Sequence, residues 1–173
     1  AEHDVNAQSI LITNDKRIIR LVNLSLKKQL SQLPKKKIAS KSLKNFGLAI
    51  YANSKINILK AINTIAPEHL ELCTNINNEI IKGVKNAGSI FIGKFSPEAI
   101  GDYIAGPNHV LPTSGSARFS SGLSVNDFLK RHSLIKITKT GIERLGSSVI
   151  NLARHENLDG HANSVKIRLK KGK

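Results

Sequence analysis

A chain of 173 residues with 40% hydrophobic content has enough apolar material for one ordinary domain plus a small appendage, so we expect a globular protein. No window approaches a membrane-spanning run of about 18 apolar residues, and Ala1-Glu2-His3-Asp4 lacks the basic and apolar stretches of a secretory signal, which points to a cytoplasmic protein with no membrane partner. A formal net charge of +15 invites a nucleic-acid reading, but the lysines are scattered, their abundance alongside Ile and Asn fits AT-rich codons, and five Phe, two Tyr and no Trp leave little for base stacking, so no nucleic-acid partner is expected.

In chain order, the first candidate element is a buried strand over residues 8–13, rich in β-branched side chains. Asn14 then offers a cap, and Ile18, Val22, Leu26, Leu30 and Leu33 recur at helical spacing up to Pro34, predicting a helix over 15–33. A shorter helix over 38–44 leads to a second apolar strand over 46–51. Ser54 caps a third helix running to Ile65, and Pro67 is followed by a brief strand over 70–73. A helix over 77–86 and a glycine-bounded strand over 88–93 close the series.

Strands alternating with helices, each strand apolar throughout, predict βαβ units and a parallel sheet of about four strands covered on both faces. Residues 95–124 change character, with Gly101, Gly106, Pro107, Pro112, Gly115 and Gly122 among many Ser and Thr residues, and read as a long functional loop. Beyond it, 125–131 and 141–155 read as helices with Ile135 and Ile137 in an extended piece between them. Residues 157–171 read as a last helix or strand, and a domain boundary is expected near Gly122.

Ala66-Pro67-Glu68-His69-Leu70 sets a carboxylate beside an imidazole after a helix-stopping proline, a serviceable acid and base pair near neutral pH, although such a pair alone is more often a solvated turn. Asp102, His109, Glu156 and His161 add potential zinc ligands, but their spacing matches neither HExxH nor a CxxC-type site. Cys73 is the only cysteine, so it forms no internal disulfide, and its apolar setting reads as a small buried hydrophobe rather than a nucleophile.

The run Ala87-Gly88-Ser89-Ile90-Phe91-Ile92-Gly93, then Ser96-Pro97-Glu98, Gly101-Asp102-Tyr103 and Gly106-Pro107-Asn108-His109-Val110-Leu111-Pro112-Thr113, resembles the signature segment of the histidinol dehydrogenase family. Ala66-Pro67-Glu68-His69-Leu70 upstream and Gly160-His161-Ala162-Asn163-Ser164-Val165 downstream fall where that family has them. The resemblance spans the whole chain and implies a C-terminal fragment of an α/β protein: residues 1–122 as the C-terminal part of an incomplete Rossmann-like domain with a parallel sheet, residues 123–173 as a small, mostly helical C-terminal domain serving dimerisation and the active site. It also implies two sequential NAD-dependent oxidations, of L-histidinol to L-histidinaldehyde and then to L-histidine.

In the roles the resemblance implies, Glu68 activates the water that attacks the aldehyde, and His69 is the general base for hydride transfer and touches substrate. Zinc, one ion per subunit, is held by His3, Asp102 and His161 together with a Gln expected immediately before Ala1, for which Gln8 is no replacement. His3, Asp102, Glu156 and His161 also contact substrate, and His109 is a weaker candidate. The implied homodimer places Glu156 and His161 in the neighbouring subunit's site. No Gly-x-Gly-x-x-Gly fingerprint occurs, so no residue of the chain is assigned to NAD. The remaining strands and the native start are expected upstream, and the isolated chain is expected to be inactive and to aggregate or fold loosely. A related zinc and NAD dehydrogenase of another small polar alcohol, or a truncated product without catalysis, are the alternatives.

Overall fold

The computed structural model describes residues 1–73 and 78–169, and their contacts divide into one unit ending at Phe128 and another beginning at Leu129. The architecture is mixed, about half helical, with small parallel sheets.

The first unit opens with β1 (Ile10–Thr13) and the long helix α1 (Lys16–Gln32). The cap of α1 is Asp15 rather than the expected Asn14: its carboxylate accepts the Arg17 N–H at 2.8 Å, and the Arg17 guanidinium returns to the same carboxylate. Val22, Leu26 and Leu30 form the half-buried stripe, with Ile19 rather than Ile18 at its start. α2 (Lys36–Phe46) follows and seats Ser42, whose hydroxyl donates to the Ala7 carbonyl at 2.7 Å. β2 (Leu48–Tyr51) then pairs in parallel with β1, Ile10 against Leu48 through Thr13 against Tyr51.

α3 (Lys55–Ile65) starts at Ser54 as expected, the hydroxyl accepting from the Asn57 N–H. It ends at the buried Ala66, whose φ of 52° is a left-handed conformation that costs a residue with a Cβ roughly 1–2 kcal/mol, before Pro67 prevents any continuation. β3 (His69–Leu72), α4 (Asn78–Gly83) and β4 (Ser89–Ile92) make a second parallel pair, registered His69 to Ser89 and Leu72 to Ile92. The expected helix over 77–86 thus begins beside a residue outside the described ones and ends earlier. Asn63 on α3 secures the turn into β4, its side-chain oxygen accepting the Lys85 and Asn86 N–H groups and its amide donating to the Gly83 carbonyl.

The core lies between these elements: Ile62 of α3, Leu70 and Leu72 of β3 and Ile80 of α4 are buried together, with Ile12 of β1 and Ile58 packed against them. Among the described residues, the expected single sheet of about four strands is corrected to two sheets of two strands, because β1 pairs there only with β2 and β3 only with β4. Nor are the strands covered on both faces, since Leu48 and Tyr51 of β2 and Ile90 and Ile92 of β4 are exposed. Cys73 is also exposed, contrary to the buried reading. Leu70 and Leu72 point inward, so the two-residue alternation turns Glu71 and Cys73 outward.

The stretch 95–124 is not a bare loop. It contains α5 (Glu98–Tyr103) and a 3-10 turn (Ser116–Arg118), and the Arg118 guanidinium donates to the Thr64 carbonyl at the end of α3. The helix expected over 125–131 is reduced to a 3-10 turn, Val125–Phe128, closed by the Asp127 carboxylate on the Ser124 N–H at 2.6 Å. The second unit is a helical pair, α6 (Lys139–His155) capped by Thr138 and α7 (Asp159–Leu169), and Ile135 and Ile137 before it belong to no strand.

Candidate active site at the start of the third strand

β3 delivers His69 to the surface side of its sheet while Leu70 anchors the strand in the core. α5 lies over that side because Gly101 lacks a side chain: a Cβ there would meet the Phe91 ring of β4 at 2.5 Å. Phe91 in turn borders His69, their ring centroids 5.9 Å apart. Glu71, two residues along the same face of β3, accepts the Glu98 N–H at 2.8 Å and ties down the first turn of α5. Glu98 and Asp102, four residues apart, share one helix face and flank the imidazole. His69 Nε2 lies 3.3 Å from Asp102 Oδ1 and 3.8 Å from Glu98 Oε1.

The two carboxyls are driven apart in acidity. Burial, then the hydrogen bond with Asp102 and its charge, push Glu98 above the ordinary carboxylate range, with His69 opposing. Burial also pushes Asp102 upward, but hydrogen bonds with Glu98 and His69 and the charges of His69 and His109 outweigh it, and the net is a lowered value. A proton therefore resides on Glu98 in preference to Asp102, and Asp102 faces His69 as a carboxylate. The pair thus sets an imidazole against an ionised carboxylate, and the ionised form is the one in which a carboxylate oxygen can serve a metal.

Among the described residues, one group of three His, Cys, Asp or Glu side chains brings its donor atoms within 4.8 Å of one another: His69, Glu98 and Asp102. An imidazole with carboxylate oxygens is a donor set that suits zinc. Of the residues singled out from sequence, His69 and Asp102 are brought together. Glu68 sits half-buried just before β3, its carbonyl accepting the Ser89 N–H at 2.9 Å. His3 is exposed near the N-terminus and is not a member of the group. His109 is exposed, but its charge reaches Asp102. Glu156 closes α6 and His161 stands exposed on α7, both in the second unit. Glu98 was given no role by the sequence reading; its spacing of four from Asp102 was the available signal.

The family model described as histidinol dehydrogenase matches residues 1–169. The histidinol dehydrogenase of Pelagibacter ubique is 53% identical over 171 residues, which are 99% of this chain and 40% of the relative. That of Caldanaerobacter subterraneus is 49% identical over 168 residues, 97% of this chain and 39% of the relative. A crystal structure of histidinol dehydrogenase from Elizabethkingia anophelis superimposes with a TM-score of 0.86 at 39% identity, covering 98% of this chain and 39% of that one. The chain spans about 40% of the length of the curated relatives it matches. A family match running through β3, α5 and both units, at this level of identity, shows that the chain belongs to the histidinol dehydrogenase family.

Proposed function

We propose that this chain supplies the acid-base half of a zinc- and NAD-dependent histidinol dehydrogenase that oxidises L-histidinol through L-histidinaldehyde to L-histidine in the cytoplasm. The observation that carries the reading is the pairing of His69 with an ionised Asp102, inside a segment about half identical to named histidinol dehydrogenases. His69 accepts the alcohol proton as the carbinol hydrogen leaves as hydride, and Asp102 stabilises the resulting imidazolium. Glu68 takes a proton from the water that adds to the aldehyde while His69 returns its proton to the carbonyl oxygen, and the hydrate then loses the second hydride as the neutral His69 takes the hydroxyl proton. When bound, zinc would orient the substrate's amine and imidazole and NAD would accept the hydrides. Asp102 would hold the metal with His3 and His161, and its ionised state fits that task.

Residues 1–122 read as the C-terminal part of a Rossmann-like domain, a view supported by the exposed Leu48 and Tyr51, which further strands would cover. Residues 123–173 read as the dimerisation and active-site domain that carries Glu156 and His161 to the neighbouring subunit. The test is NADH formation from L-histidinol by the full-length protein bearing this segment. Glu68→Gln and His69→Ala each abolish turnover; a full-length protein with both residues intact that oxidises no histidinol overturns the proposal.

A further inference from the structure

We propose that Glu71 is a positioning residue, whose grip on the first turn of α5 fixes the register in which Asp102 meets His69. The inference rests on the reading of His69 and Asp102 as active-site residues. His69 and Glu71 stand two residues apart on one face of β3, about 7 Å along a strand. Glu98 and Asp102 stand four apart on one face of α5, about 6 Å along a helix. The matched spacings let strand and helix meet at two points: Glu71 Oε1 accepts the Glu98 N–H at 2.8 Å, and His69 Nε2 lies 3.3 Å from Asp102 Oδ1.

With the His69 contact alone, a helix of six residues could pivot about the imidazole. The second contact removes that freedom. It is a carboxylate accepting from an N–H that has no partner within the helix, a charge-assisted bond reinforced by the helix dipole. The close approach of Gly101 to Phe91 then leaves α5 one seat on the sheet. Glu71 is itself exposed, so its removal opens no cavity and the core beneath β3 stays filled.

The experiment compares Glu71→Ala, Glu71→Gln and Glu71→Asp in the full-length protein, reading kcat for histidinol oxidation and the His69 ring nitrogen shifts in long-range proton–nitrogen spectra. Gln keeps the reach and an accepting oxygen; Asp keeps the charge and loses the reach. The expected result is a fall of about tenfold in kcat for Ala and Asp, with moved ring signals and a wild-type melting midpoint, and recovery to within about twofold in Gln. Ala matching wild type in kcat and ring shifts overturns the proposal. If the wild-type protein oxidises no histidinol, the functional reading fails and the ring signals decide: moved in Ala and restored in Gln they support positioning, and unmoved they refute it.

Discussion

Adding one methyl group to either of two glycines should have opposite effects. At Gly88, immediately before β4, a Cβ would stand 2.5 Å from the Glu68 carbonyl oxygen and 3.1 Å from Pro112 Cδ. Non-bonded carbon and oxygen come no closer than about 3 Å, so β4 and the entry to β3 must separate by roughly 0.5 Å. That carbonyl accepts the Ser89 N–H at 2.9 Å, and the neighbouring Pro67 carbonyl accepts the Gly88 N–H at 2.9 Å. Both bonds stretch to the limit of useful length, and at about 0.5–1.5 kcal/mol each the loss is about 1–3 kcal/mol. At Gly160 in α7 nothing lies within 4 Å of the added Cβ, so alanine only restricts the unfolded chain and stabilises by about 0.4–1 kcal/mol. Amide hydrogen exchange resolves each segment separately. Exchange in β3 and β4 should accelerate about 5- to 150-fold in Gly88→Ala, and exchange in α7 should slow in Gly160→Ala. Unchanged protection of β3 and β4 in Gly88→Ala would refute the steric argument.

Ile62→Ala removes the α3 side chain from the core it shares with Leu70, Leu72 and Ile80, and urea unfolding should show a loss of about 2–5 kcal/mol. Asn63→Ala leaves the Lys85 and Asn86 N–H groups without their acceptor, costing about 1–3 kcal/mol and raising exchange first at those two amides. The Asp15 carboxyl is held below its ordinary range by the Arg17 side chain, then by the Arg17 N–H. A depressed carboxyl stabilises fully above its unfolded value, near pH 4, and that stabilisation disappears as pH falls through the folded value. The stability gap between wild type and Asp15→Asn should therefore narrow on acidification below about pH 4; a gap that widens there would be the wrong sign.

What was legible in the sequence was local. Ser54 opens α3 because a hydroxyl before a helical apolar pattern meets an unsatisfied N–H, and the apolar runs mark the four strands of the described residues. Pairing was not legible: nothing in the composition of 46–51 or 70–73 says that these strands belong to different sheets. Asp15 displaced Asn14 as a cap because Arg17 grips the same carboxylate, a two-residue coupling that cap preference alone does not weigh. Of the residues that the motifs singled out, His69 and Asp102 meet in space, whereas Glu98 beside them was passed over because 95–124 read as loop and a spacing of four has meaning only on a helix.

The two parallel pairs differ in the length of chain that each must close. Ile10 and Leu48 are partners across 38 positions, His69 and Ser89 across 20. Since each doubling of a loop adds about 0.6 kcal/mol of closure entropy, the ordering cost of joining β3 to β4 is lower by nearly that amount. The shorter crossover should make this pair the earlier to assemble, with Ile12 of β1 then packing onto a core seeded by Leu70 and Leu72. The strand that carries His69 should then also be part of the folding nucleus, and a folding-rate measurement on Leu70→Ala should show refolding slowed more than unfolding is hastened.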